Sequence, residues 1–525
     1  MHRFVRSPLR SLTAGRVVLC SLLLVHAALS LVMDGPLSGD DHYALWVAHN
    51  IWAGDVLNTD VFDPGTPLQS LLSYAGQLLS GHRPISESLI AAGFKIIGVV
   101  LTYFLARGAT SSRWIAGIIA AIVAILVQPN GVYAEDRMVL YPGAVLLAWR
   151  YLEKPASRLT ISLGVITAVA FLLRHDHGLF IGLPLLLMIL LTRRPPWPFL
   201  LTGSLLILPW VLWVQSTEGL VTYFATRVHF SRTLGLTIER PGFGFSLQRL
   251  ITHDNELRLL WQLAVVAAAG ALLAAVWLKE RRILVLAAVT VLAEAGIMRE
   301  LGLYPELAAM WLPLGAWSIA QLPRAIARPL SIIATGLVAG AAIGATDAYR
   351  EIPEVIIDGG GLPNRVVEGF RLQSIYPPID LYAPAGSADD RLFVRYVYEC
   401  LDPRDYVWET SVWFSLPYES ERRLVEHPYW MLGFRRELDA PFAAALPHKG
   451  FPPLIVTRYQ RSPLDAFRDY PATRALVARE YEPFTSPRFE QYRKDVVDIQ
   501  LLKYRGRAAT GTFAPLDLPC FRRSS

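Results

Sequence analysis

The stretch LARGATSSRWIAGIIAAIVAILVQPNGVYAEDRMVLYPG, residues 105–143, holds the pattern on which the fold turns. Arg107 and Arg113 bracket a short polar turn. An apolar run follows near 114–130, then a turn at 131–136 with Gly131, Glu135 and Asp136, then a second apolar run from 137. A chain that crosses a bilayer and returns shows this alternation, because Lys and Arg concentrate in the cytoplasmic turns.

Outward from there, eleven apolar runs approach the roughly 20 residues a membrane helix needs. They lie near 14–33, 86–106, 114–130, 137–152, 159–174, 177–192, 197–215, 257–278, 283–298, 306–322 and 330–346. With the N-terminus in the cytoplasm, the inner segments hold Arg3, Arg6, Arg10 and Arg16; Arg107 and Arg113; Lys154 and Arg158; Arg193 and Arg194; Lys279, Arg281 and Arg282; and Arg324 and Arg328. The short outer turns carry one basic residue or none, apart from Arg137 and Arg174 at their edges. The cut between 174 and 177 reads either as a turn or as a kink within one feature. Composition agrees. The 525 residues are 53% hydrophobic and 18% charged, against roughly a quarter charged in soluble chains, and mean hydropathy is +0.35. The net charge of +6 is modest, and no basic patch with stacking aromatics points to nucleic acid. No small-residue cleavage site follows the first apolar run, so it is expected to stay attached.

After residue 346 the chain turns rich in charge, Pro and Tyr. DDRLFVRYVYECL (389–401) has helical periodicity, and DYVWET, PPLIVTR and VDIQLLKYR have the character of short strands. The expected architecture is an α-helical polytopic membrane protein of about 11 transmembrane helices over residues 1–346, with a first outer loop at 34–85 that carries interfacial helices. A small α/β extracytoplasmic domain covers 347–525. Of the three cysteines, Cys20 lies in the first apolar run. Cys400 and Cys520 either pair in an oxidising compartment or remain free thiols.

Ionisable groups at membrane depth are candidates for function, and they gather at the outer ends. SGDDHYALWVAHNIWAGD (38–55) places Asp40 and Asp41 at the head of an expected helix, with Asp40 or Ser38 as its cap. Leu45, Ala48 and Trp52 share one face, with Val47 and Ile51 beside it. That pattern suits a helix lying in the membrane interface. A plain acidic cap is the other reading. Asp136 follows Glu135 and precedes Arg137, which can neutralise either acid. LLRHDHGLFIG (172–182) interrupts apolar sequence with four polar side chains. His175 and His177 can bind a divalent metal or hydrogen-bond a phosphate, but HxH lacks a third ligand at fixed spacing. An Arg174–Asp176 pair closing the loop is the commoner alternative. His229 and Arg232 lie further along. Arg299, followed by Tyr304 and Pro305, offers either a phosphate grip or an interface anchor.

With these residues in view, the chain resembles the GT-C class of integral-membrane glycosyltransferases, nearest to its protein-mannosyltransferase-like and lipid A aminoarabinose transferase-like bacterial branch. The likeness rests on Asp40-Asp41 followed by Tyr43, and on AGDVLNTDVFDPGTPLQSLLSYAGQLLSG (53–81), in which a short apolar helix ends in Gly. The late Arg299, Tyr304 and Pro305 and an outer C-terminal domain also fit. The chain departs from the pattern in having Asp41 where Glu is usual, and RHDHG has no place in it.

The resemblance implies transfer of a sugar from a polyprenyl-phosphate donor to an envelope glycan, lipid or protein acceptor, with inversion. The site would face outward from the plasma (bacterial inner) membrane. In that reading Asp40 is the base and Asp41 its orienter or alternate. Arg174 and Arg299 hold the phosphate with His177 assisting, and Tyr43, Asp136 and Tyr304 contact sugar, acceptor or lipid. It implies no certain cofactor, and a divalent metal near Asp40, His175 and His177 stays open. Neither a Rossmann fingerprint nor a P-loop occurs. A transporter or flippase, or a non-catalytic envelope-glycan assembly protein, are the alternatives.

Overall fold

The computed structural model describes residues 41–61, 63–127, 136–237, 257–297, 305–323, 326–327, 329, 362–375, 391–410, 415–424, 439–458 and 462–522. The expected runs at 14–33 and 330–346 lie outside these, as do Asp40, Glu135, Arg299 and Tyr304. For Asp41, Tyr43, His229 and Arg232 only the backbone is described.

The N-terminal body is helical: α1 Asp41–Trp52, α2 Pro67–Ser80, α3 Ile85–Thr110, α4 Arg113–Leu126, α5 Arg137–Glu153, α6 Ser157–Leu173, α7 His175–Leu191, α8 Trp197–Thr217, α9 Leu220–Thr237, α10 Leu257–Trp277, α11 Arg281–Ile297 and α12 Pro305–Ala320. The apolar runs expected between 86 and 322 each coincide with one of these helices. Among the described residues, α3 and α8 are long and apolar enough to cross a membrane, and several neighbours are shorter apolar helices. Leu201, Leu205 and Leu212 on α8 are each more than half exposed. An apolar strip of that kind requires a partner or a lipid phase. Helix α9 was not anticipated, because Arg227, Arg232 and several threonines dilute its apolar signal.

The break at Arg174 is a turn and not a kink. Arg174 is extended, at φ −160° and ψ 122°, and α6 and α7 fold back on each other. Gly178 faces Phe171 and Gly182 faces Thr167, the register of an antiparallel hairpin. Helices α3 and α5 run parallel, with Gly98 against Met138 and Gly108 against Trp149. A side chain at Gly98 would strike the Met138 carbonyl, so only Gly allows this approach.

The C-terminal body combines α13 Leu362–Gln373, α14 Arg391–Cys400, α15 Ser415–Glu419, α16 Asp439–Lys449, α17 Pro471–Glu480 and α18 Pro487–Asp495 with strands β1 Tyr406–Glu409, β2 Arg423–Leu424, β3 Leu454–Arg458, β4 Tyr481–Pro483 and β5 Ile499–Tyr504, and a hairpin of β6 Gly511–Phe513 and β7 Leu518–Cys520. The sheet order is β2-β1-β3-β5-β4, with β1 parallel to β2 and β3, and β5 antiparallel to β3 and β4. Successive strand residues enter opposite cores. Val407, Leu454, Val456 and Leu501 pack with α14, while Trp408, Ile455 and Leu502 pack with α16 and α17. This two-sided burial explains why strands β1, β3 and β5 read as apolar runs. Strands β2, β4, β6 and β7, of two or three residues each, are too short to leave a periodic signal.

Cys400 at the end of α14 is joined to Cys520 in β7 across 120 residues of sequence. Replacing either by Ser is expected to destabilise this body by about 2–4 kcal/mol. Thermal unfolding of the two variants, compared with wild type under reducing and non-reducing conditions, checks it. Wild type should lose stability on reduction and the variants should not.

Helix α1 corrects an expectation. Among its described side chains, Leu45, Trp46, Val47, Ala48, His49 and Asn50 are buried, and Trp52 at its end is exposed. It does not lie with one face on a membrane surface. It is enclosed, because α2 covers one side, where Gln77 Nε2 donates to the Leu45 carbonyl at 3.0 Å, and the C-terminal body covers another. Tyr418 of α15 packs with Leu45 and Ala91 and donates to the His82 carbonyl at 3.0 Å. Arg423 of β2 reaches Asp55 at 2.8 Å and the Ala53 carbonyl at 2.8 Å.

His49 lies in this seam, edge-on to Tyr418 with ring centroids 6.1 Å apart. Burial, and then the charges of His82, Arg422 and Arg423, lower its imidazole to about 4. The unfolded chain therefore binds a proton that the fold refuses. The stabilisation is complete above an unfolded value of about 6.5 and falls by roughly 1.4 kcal/mol per pH unit as pH drops from there toward 4. Melting temperature measured against pH should show this slope in wild type and lose it in His49→Gln.

Candidate active site

The site builds on the N-terminal ends of α5 and α7. Asp136 closes the turn before α5, and Arg137 is its first residue. One turn deeper, Tyr141 meets His177 of α7, with the hydroxyl 2.9 Å from Nδ1. On the α6–α7 turn, Arg174 pairs with Asp176 at 3.0 Å, and Asp176 accepts the His177 backbone N–H at 2.8 Å. The expected ion pair closing this loop is present. The Arg137 and Arg174 charges both act on Asp136 and on His177, which draws these groups into one corner.

Asp136 and His177 are buried, and Asp136 Oδ2 and His177 Nε2 have no hydrogen-bond partner among the described residues. Buried polar atoms left so are uncommon and require explanation. Burial pushes the Asp136 carboxyl above the ordinary carboxylate range, against the pull of Arg137 and Arg174. The Tyr141 bond sets the His177 tautomer. If the phenol donates to Nδ1, Nε2–H is a free donor suited to an anionic oxygen. If Nδ1–H donates, Nε2 is a lone pair suited to a hydroxyl. Arg174 is about one-quarter exposed, so the corner opens outward through its planar, five-donor guanidinium.

The residues read from sequence divide accordingly. Asp136, Arg174 and His177 come together. Asp41 and Tyr43 begin α1, and Asp40, Arg299 and Tyr304 lie outside the described residues. The metal reading of His175 meets an obstacle. Its Nδ1 lies 2.7 Å from the Phe171 carbonyl and its Nε2 lies 2.7 Å from the Tyr223 hydroxyl. A metal bond at either nitrogen would break a contact, and His177 has only Nε2 to offer. Among the described residues, no three His, Cys, Asp or Glu side chains are grouped to hold an ion.

Two features went unread. Lys95 is fully buried in α3. It stands one turn before Gly98, which abuts Met138, so its backbone lies level with the Asp136 turn. A lone cation in an otherwise apolar run was the available signal. Asp63 in DVFDPGT is also fully buried, and its partners come from α9, far along the chain.

No protein-family model matches the chain, and no curated protein matches it. Among solved structures it is similar to the crystal structure of ArnT from Cupriavidus metallidurans bound to undecaprenyl phosphate. The TM-score is 0.46 at 16% identity, covering 93% of this chain and 98% of that one. At that score the likeness stands as a similarity alone, and the chemistry must come from the side chains.

Proposed function

We propose that the protein is a multi-pass membrane glycosyltransferase that moves a sugar from a polyprenyl-phosphate donor to a hydroxyl acceptor on the outer face of the plasma membrane. The observation that carries this reading is the corner where buried Asp136 Oδ2 and His177 Nε2 have no hydrogen-bond partner among the described residues, beside Arg137 and Arg174. A sugar phosphate carries groups that suit such a corner: anionic oxygens for a guanidinium and hydroxyls for the carboxyl and imidazole. Placement at the ends of apolar helices suits a lipid whose tail stays in the bilayer and whose headgroup does not. The disulfide of the C-terminal body suits an oxidising outer compartment.

The reaction is a single displacement. The acceptor oxygen attacks the anomeric carbon as the bond from that carbon to the phosphate oxygen breaks. Asp40 takes the acceptor proton, with Asp41 orienting it. The polyprenyl phosphate leaves with the bonding electrons, and Arg174 and Arg299 neutralise the charge that develops there. His177 and Asp136 hold sugar or phosphate oxygens, and Tyr43 and Tyr304 line the approach. A divalent metal is no part of this scheme. A flippase would also hold charges at membrane depth but would leave the glycosidic phosphate bond intact. Mass spectrometry of polyprenyl-phosphate sugars and envelope glycans, with and without the gene, tests the pathway in cells, and release of polyprenyl phosphate by the purified protein separates transferase from flippase. Loss of one glycan with accumulation of its lipid-linked sugar is expected, whereas unchanged pools would remove the enzyme reading.

A further inference from the structure

The loop between α1 and α2 is tied to the Arg174 corner by a buried network. Asp63 Oδ1 accepts the backbone N–H groups of Gly65 and Thr66 at 2.9 and 2.6 Å, and Oδ2 accepts the Tyr223 hydroxyl at 2.8 Å. Arg227, one turn along α9, donates from Nε to the Asp63 carbonyl at 2.7 Å and from Nη2 to Asn58 at 2.9 Å. Its Nη1 meets both oxygens of Glu218 at 2.9 and 2.7 Å, and its guanidinium lies 3.6 Å over the Tyr223 ring. His175, between Arg174 and Asp176, closes the circuit. Its backbone N–H donates to the Gly65 carbonyl at 3.1 Å and its Nε2 meets the Tyr223 hydroxyl. Gly65 takes φ +110°, and a side chain there would press on the His175 ring at 3.2 Å.

The hydrogens at Tyr223 are tightly constrained. Its one hydroxyl hydrogen serves two neighbours, Asp63 and His175. Whichever way that hydrogen points, the phenol oxygen takes part in both bonds.

We infer that Tyr223, with Asp63 and Arg227, is a positioning residue that fixes Asn58 and residues 63–66 against the Arg174–His177 corner and so sets the rate of the transfer proposed above. These side chains are buried and act through the loop and through His175. Helix α9, which no span or motif explained, thereby has a role: it carries the anchor.

The inference rests on the transferase reading, so the test has one arm that needs no activity. Tyr223→Phe keeps the ring under Arg227 and removes only the hydroxyl. In the full-length protein in lipid nanodiscs, hydrogen exchange at residues 58–66 should rise while that of the β1–β5 sheet stays at the wild-type level. With a polyprenyl-phosphate-linked sugar, kcat should fall about 10–100-fold, as misplacement by an ångström can do, with KM for the donor unchanged. Asn58→Ala, at the far end of the loop, should move both readings the same way. Unchanged exchange in Tyr223→Phe, or raised exchange with wild-type kcat, overturns the inference. A wild-type protein that consumes no lipid-linked sugar overturns the transferase reading instead, and exchange still decides the anchor.

Discussion

Arg174→Ala is expected to lower kcat for sugar transfer by about 10²–10³-fold, the loss typical when a donor to developing negative charge is removed. Arg174 stands at an extended break between two antiparallel helices, oriented by Asp176 at 3.0 Å, and it is the partly exposed cation of a corner in which Asp136, Arg137 and His177 are buried. If the Arg174–Asp176 pair only closed the turn, removing either partner would cost the same. If the guanidinium holds the departing phosphate, Asp176→Asn loses orientation but keeps the charge, and its loss should be much smaller than that of Arg174→Ala. Arg174→Lys should recover part of the rate but not all, since a point charge cannot reproduce two parallel hydrogen bonds. Turnover of a lipid-linked sugar by the three variants, each at matched insertion, makes the comparison. Equal losses in Arg174→Ala and Asp176→Asn would return Arg174 to a structural role.

Asp40→Asn is expected to reduce turnover by about 10²–10⁴-fold, the range lost with a general base. The substitution is informative because Asn caps a helix as well as Asp does, so it keeps the plain cap role that the sequence also allows for Asp40. The variant should therefore insert and melt as wild type does while failing to take the acceptor proton. Asp41→Asn is the companion measurement: a smaller loss there assigns the base to Asp40, and the reverse order assigns it to Asp41.

The features legible in the sequence were those enforced by a strong local constraint. A bilayer-length apolar run has few folds open to it, and, α9 apart, the described helices between 85 and 320 coincide with the apolar runs. The three longer strands are buried on both faces and read as apolar segments. Helix α1 was misread for a physical reason. YALWVAHNIW is apolar nearly all round, the mark of an enclosed helix, and the interfacial reading relied on one stripe of it. What encloses it, Tyr418 and Arg423, lies more than 360 residues away. The Asp63 network was invisible for the same reason. Asp63 and Tyr223 are separated by 160 residues, and each alone is an ordinary loop acid and an ordinary helix tyrosine. His175 was visible as unusual, but its role was not. Two ring nitrogens free in sequence suggest a metal, whereas in the fold both are occupied.

Incubation of the purified full-length protein in lipid nanodiscs with polyprenyl-phosphate-linked hexoses and pentoses, following release of polyprenyl phosphate by mass spectrometry, tests sugar transfer most directly. Release of polyprenyl phosphate from one of these donors in the presence of envelope extract, abolished in Asp40→Asn and strongly reduced in Arg174→Ala, is the expected result. Donors that remain intact throughout, or release at the same rate in wild type and both variants, would contradict it.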